Sequence, residues 1–237
     1  MPSDLFRFRQ FNLYHGEGYK IGTDAVLLGS WAGSDINIKR ILDVGSGTGV
    51  VGFLLAQRFP SAEVHLLESN PAAIKECKAS LAASPFADRM QIIEANFLKW
   101  KADQPYDLIV SNPPYFASIL NSPNPTKSKA KHIPLEDQIK WFALLKECVH
   151  PKSGRMAIVL SNKHLKAQNN RPPDLSPFNL NRRLEVAHHP GKASSLVLLE
   201  YGKEAEEVQS KINIYNSDQS FSKEYIRLCT DFLPSVK

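Results

Sequence analysis

Sulfur is scarce in this chain: its three cysteines, Cys77, Cys148 and Cys229, lie far apart and form no Cys-x-x-Cys pair. That spacing argues against both a disulfide framework and a structural zinc site, and free buried thiols are expected instead. No uncharged apolar run approaches the ~20 residues that span a bilayer. The opening Met1-Pro2-Ser3-Asp4 leads to Arg7 and Arg9 and lacks the apolar centre of a signal peptide. A cytoplasmic protein with no membrane segment is the expectation. Internal repeats and interdomain linkers are also lacking. His188 and His189 are adjacent, and adjacent strand residues face opposite ways, so one metal ion is not expected to bind both. No metal is expected.

What remains suits a globular α/β protein. The 237 residues are 43% hydrophobic and 22% charged, enough to bury one core and too apolar for general disorder. A net charge of +5 permits a polyanionic partner without requiring one.

Hydrophobic patterning divides the chain. Phe6, Phe8 and Phe11, punctuated by Gly16 and Gly18, predict a short hairpin or extended arm. Thr23 or Asp24 can cap a following helix with Val26, Leu27 and Trp31 on its apolar face. Short apolar runs then alternate with helical segments. Strands are predicted at 41–44, 64–67, 90–95, 107–111 and 156–160, with helices through 53–55, 71–83 and 135–149 between them. This rhythm calls for a doubly wound, mostly parallel sheet. The segments 184–187 and 196–201 predict a closing antiparallel hairpin, and 223–232 a last helix. The segments 117–133 and 167–180 are predicted as loops.

The sharpest motif follows the first core strand: Asp43-Val44-Gly45-Ser46-Gly47-Thr48-Gly49, running straight into a helix. In such sheets ligands bind beyond the carboxyl ends of the strands, where glycines let the backbone approach a nucleotide. The dinucleotide fingerprint needs a further glycine at position 50, where Val50 stands, although a dehydrogenase stays open as an alternative. The observed G-x-G-x-G, with Asp43 ahead of it, resembles the first motif of class I methyltransferases. That resemblance implies S-adenosylmethionine held by Asp43, Gly45, Gly47 and Gly49, and Asn96 and Phe97 beside its adenine ring. Glu68 closes the second strand, where it can accept both ribose hydroxyl protons or, alternatively, cap the next helix.

At the end of the fourth strand stands Asn112-Pro113-Pro114-Tyr115. A base amine is a poor nucleophile because its lone pair is delocalised into the ring. Two acceptors aimed at its protons push that density back, and the Asn112 side-chain oxygen and the Pro113 carbonyl can supply them. Pro113 and Pro114 carry no competing amide donor and fix the backbone direction. Tyr115 offers a face on which a flipped base can stack. In isolation the same tetrapeptide can simply end a strand.

Two further segments, Tyr19 to Trp31 and Phe221-Ser222-Lys223-Glu224-Tyr225, resemble those of the bacterial valine-tRNA adenine-N6-methyltransferases, and the resemblance covers nearly the whole chain. It implies a Rossmann-like class I fold with a seven-stranded sheet. A single methyltransferase domain over 1–237 is expected, with an amino-terminal, cofactor-covering extension at 1–35 and a catalytic core at 36–237. It also implies methylation of the N6 amine of the adenosine next to the anticodon of valine tRNA by a monomer, with Thr23 and Asp24 near the methionine end of the cofactor. The tetrapeptide alone is shared with enzymes acting on ribosomal RNA guanine, DNA adenine and release-factor glutamine, so those substrates stay open, as does RNA binding without catalysis. Lys127, Lys129 and Lys131, with Arg182 and Arg183, are candidates for tRNA phosphate contacts, or else a solvated face.

Overall fold

The computed structural model describes residues 4–16, 20–33, 37–113 and 134–236. Strands β1 (Asp4–Arg7) and β2 (Asn12–His15) form the predicted antiparallel hairpin. Helix α1 (Thr23–Trp31) follows. The core then runs β3 (Arg40–Val44), α2 (Val50–Arg58), β4 (Glu63–Glu68), α3 (Pro71–Ala82), β5 (Met90–Glu94) and β6 (Leu108–Ser111). After the 117–133 segment, which lies outside the described residues, come α4 (Leu135–Cys148), β7 (Arg155–Ser161) and α5 (Asn162–Ala167). The chain closes with β8 (Asn179–Ala187), β9 (Leu196–Gly202), β10 (Val208–Asn213) and α6 (Lys223–Cys229).

The main sheet has the order β10-β8-β9-β7-β6-β3-β4-β5. Within it β9 alone runs antiparallel, against β7 and β8. The seven expected strands are present, and β8 with β9 is the expected hairpin. An eighth, β10, was not foreseen. It extends the β8 edge in parallel, and its first four residues are exposed, so it lacks the apolar run that betrays a central strand.

Strands β3 and β6 are almost continuously apolar because both faces of the sheet are covered. Ile41 packs on one face with Leu27, Phe53, Leu54 and Val110; Leu42 and Val44 pack on the other with Ile109, Trp141 and Leu145. Local chemistry starts the helices: the Asn70 side chain accepts from the Ala72 amide at 3.0 Å ahead of Pro71, and the Ser222 hydroxyl accepts from the Tyr225 amide at 3.1 Å. Helix α1 departs from expectation. Its N-cap is Gly22, with no side-chain bond, so Thr23 and Asp24 lie within the first turn.

The carboxyl end of α1 is clamped instead. The Arg58 guanidinium donates to the carbonyls of Gly29, Ala32 and Gly33 at 3.0, 2.5 and 3.1 Å, satisfying acceptors that a helix end leaves open. Burial and the neighbouring Arg182 lower Arg58 to about 10, still charged at neutral pH. Glu200, fully buried on β9, accepts from the Gly33 amide at 2.6 Å and pairs with Arg182 at 3.1 Å and Arg155 at 3.6 Å. Arg182 also lies 4.3 Å over the Trp31 ring. These contacts hold the Arg182 side chain between Glu200 and Trp31. All three cysteines are free and buried, as their spacing implied.

Removing the Glu200 carboxylate takes a buried acceptor from Arg182, Arg155 and the Gly33 amide together. Glu200→Leu should therefore cost about 3–5 kcal/mol, read as a lower urea midpoint at unchanged slope. An unchanged midpoint would show that the clamp contributes nothing to stability.

Candidate active site

Because β6, β3, β4 and β5 are parallel neighbours, their carboxyl ends share one edge. Each strand delivers one part of the candidate site there, at the ~4.8 Å spacing of adjacent strands.

From β3 comes the glycine loop. Gly45, Gly47 and Gly49 take φ of 69°, 58° and 91°, a left-handed backbone that residues with a Cβ adopt at a cost. The amides of Gly45 and Ser46 donate to the Leu67 carbonyl at 2.9 and 3.1 Å, pinning the loop to β4. The space is also tight, since a Cβ on Gly49 would lie 2.9 Å from Phe53 and 3.0 Å from Cys77 Sγ. Asp43, just before the loop, is 1% exposed, and its Oδ2 accepts from the Gly52 amide in the first turn of α2 at 2.9 Å.

From β4 comes Glu68, buried at the strand end. One oxygen accepts from the Gly47 amide at 2.8 Å, and the other from the amides of Ser69 and Asn70 at 2.7 and 2.8 Å. The carboxylate therefore braces the glycine loop and the turn into α3 together. Beyond β5, the exposed Asn96 turns its side-chain oxygen to the Leu98 amide at 2.9 Å, capping a short 3₁₀ turn at Phe97–Lys99. The Phe97 ring is buried against Trp141, with centroids 4.9 Å apart at 67°.

From β6 comes Asn112, half-buried, with Pro113 buried behind it. Ser111 ties this strand end to the loop by donating to the Val44 carbonyl at 2.9 Å. The Asn112 amide nitrogen donates to Asp24 Oδ2 at 3.0 Å, joining α1 to the end of β6 across 88 residues of sequence. Thr23 beside it is exposed. The structure thus gathers Asp24, Asp43, the glycines, Glu68, Asn96, Phe97, Asn112 and Pro113 along one edge. Pro114, Tyr115, Lys127, Lys129 and Lys131 lie outside the described residues. Arg183 is distant, paired with Glu185 at 2.9 Å beside a shallow cleft that Gln209, Ser210 and Lys211 help to line near β10.

One neighbour escapes notice in the sequence. Trp141 of α4 lies against both the glycine loop and Phe97; a Cβ on Gly45 would touch its ring at 3.4 Å. An aromatic on a helix's apolar face reads as core, and only the packing of α4 brings it to this edge.

Burial raises the Asp43 carboxyl from 3.8 to about 7; the Gly52 amide opposes the rise and the Glu68 charge adds to it. The folded protein therefore keeps this proton to higher pH than the unfolded chain. Between 3.8 and about 7 it binds more protons than the unfolded state, so this group's contribution to stability falls as pH climbs. Asp43→Asn has no proton to lose over this range and should flatten that decline in urea unfolding; parallel profiles for the two proteins would contradict a raised carboxyl.

Residues 20–126 match the methyltransferase small domain family. The tRNA1(Val) (adenine(37)-N6)-methyltransferase of Porphyromonas gingivalis is 34% identical over 255 residues, covering 98% of this chain and 96% of that protein. Its namesake from Bacteroides thetaiotaomicron is 33% identical over the full length of both. Among solved structures, a predicted O-methyltransferase from Agrobacterium tumefaciens superposes with a TM-score of 0.65 at 18% identity, over 88% of this chain and 96% of that one. A glycopeptide N-methyltransferase complexed with S-adenosylmethionine reaches 0.51 at 13% identity, over 70% and 82%. Those two likenesses concern the fold alone, a doubly wound sheet. The near full-length identity to the curated enzymes goes further: this chain belongs to the tRNA1(Val) (adenine(37)-N6)-methyltransferase family.

Proposed function

We propose that this protein methylates the N6 amine of adenosine 37, next to the anticodon of valine tRNA, using S-adenosylmethionine. The relatives named for that activity support it, at 34% and 33% identity over nearly the whole chain. The observation that carries the chemistry is Asn112, partly exposed at the end of β6 beside the glycine loop of the adjacent strand.

The donor set fits the cofactor. Left-handed glycines let the loop turn tightly at the strand edge, and Glu68 braces it with a carboxylate suited to ribose hydroxyls. The Phe97 ring is held by Trp141, so its backbone, with Asn96, is the part that meets the adenine edge. Thr23 and Asp24 stand at the methionine end, and Asp43 anchors the start of α2, which follows the loop. When bound, S-adenosylmethionine supplies an electrophilic methyl group.

The chain's own residues then prepare the amine. Asn112 Oδ1 and the Pro113 carbonyl accept hydrogen bonds from its two N–H groups, raising electron density on nitrogen. Tyr115 stacks on the flipped base and holds that nitrogen in line. Rate comes from alignment and fixed polar groups, with no covalent enzyme intermediate. Lys127, Lys129 and Lys131 follow Tyr115 closely enough in sequence to neutralise anticodon-loop phosphates. In this reading the protein acts as a monomer in the cytoplasm, where tRNA is matured.

Incubation with S-adenosylmethionine and unmodified tRNA, followed by nucleoside mass spectrometry, should reveal N6-methyladenosine in valine tRNA. Methyl groups in ribosomal RNA or a release factor instead would reject the substrate. Asn112→Ala should retain cofactor affinity and lose about 10²–10³-fold in turnover; full activity would rule out the acceptor role. Glu68→Ala should weaken cofactor binding by about tenfold or more in calorimetry, and unaltered affinity would exclude the ribose contact.

A further inference from the structure

We propose that Asp24 is a positioning residue: it orients the Asn112 amide so that the oxygen, not the nitrogen, faces the target amine. This rests on the proposed acceptor role of Asn112. A carboxamide has nearly the same shape in either of its two flipped orientations, so packing alone discriminates weakly between them. The flipped form would aim N–H donors at an amine that itself needs acceptors. An ionised carboxylate accepts hydrogen bonds and donates none. The 3.0 Å contact from Asn112 Nδ2 to Asp24 Oδ2 therefore selects one orientation. A single charge-assisted bond of this kind biases such an equilibrium by about 10- to 100-fold.

The carboxylate is itself fixed. Asp24 Oδ1 accepts from the Ala25 amide at 2.9 Å, which turns Oδ2 toward β6. Gly22 makes room for this arrangement: a Cβ there would lie 2.2 Å from Asp24 Oδ1. The need is for space, because Gly22 has an ordinary extended backbone, with φ of −106°. The helix bearing Asp24 is held at its other end by the Arg58 clamp, so the carboxylate has a rigid mount.

The test compares single-turnover methylation of unmodified valine tRNA with calorimetric S-adenosylmethionine affinity, across Asp24→Ala, Asp24→Asn, Gly22→Ala, Asn112→Ala and the Asp24→Ala/Asn112→Ala double variant. Asp24→Ala should slow turnover at saturating cofactor about 10²-fold, well beyond what any accompanying loss of cofactor affinity accounts for. Asp24→Asn keeps an acceptor but adds a competing donor, so it should recover about tenfold of that loss. Gly22→Ala deletes no polar group yet should slow turnover by displacing the carboxylate. The double variant should be no slower than Asn112→Ala alone, because Asp24 then has nothing left to orient. Multiplying losses, or a fall in cofactor affinity that accounts for the lost turnover, would overturn the inference. A fast Asp24→Ala enzyme beside a slow Asn112→Ala enzyme would overturn it alone; a fast Asn112→Ala enzyme would overturn the acceptor role, and the inference with it.

Discussion

Hydrogen bonding of β3 to β6 on one side and to β4 on the other, with β5 beyond, aligns four carboxyl ends on one edge of the sheet. A one-strand error in that order would separate the glycine loop from Glu68 or from Asn112. The loop is tied into the same alignment, since Gly45 and Ser46 donate to Leu67 and Ser111 donates to Val44. Backbone pairing thus sets the distances within the site before any side chain acts. The buried apolar strands supply the driving force for that pairing, because each must cover both of its faces.

Asp24 enters the site from outside this frame, and its position depends on charges buried elsewhere. Burying Glu200 with Arg182 and Arg155 is costly in desolvation, and such groups are weak evidence of net stability. Their geometric effect is clearer. Together with Arg58 and the Trp31 contact of Arg182, they fix where α1 ends against the core. The hairpin adds a second attachment: Phe11 stacks on Phe53 at 5.4 Å, and the Tyr14 amide donates to Ser80 at 2.9 Å. The amino-terminal elements are consequently held to α2 and α3, the helices that flank the glycine loop.

The doubly wound core was legible because its strands are short apolar runs divided by helical patterns, and the loop after Val44 because its glycines recur at alternate positions. Strand β10 was not, since an exposed edge strand such as Val208–Asn213 carries no apolar period. Asn112, Glu68 and Asp43 could be assigned to the site edge by their positions at strand ends. Their partners could not. Nothing local to Asp24 reveals that it reaches Asn112, and a glycine before a helix suggests a flexible cap rather than room for a carboxylate. Trp141 and Arg182 show the same limit: an aromatic on a helix face and a basic residue on a strand have meanings set by what packs against them.

Cys77 lies under the glycine loop, its sulfur 3.0 Å from where a Cβ on Gly49 would fall. Burial raises its thiol well above the ordinary cysteine range, and the charges of Asp43 and Glu68 raise it further. Thiolate is the nucleophilic form of cysteine, so this sulfur is kept unreactive next to a loop built to hold an alkylating agent. Cys148 and Cys229, both lifted to about 11 chiefly by burial, are similarly passivated. The apolar packing and buried carboxylates around the loop thus also hold the neighbouring thiol in its protonated form.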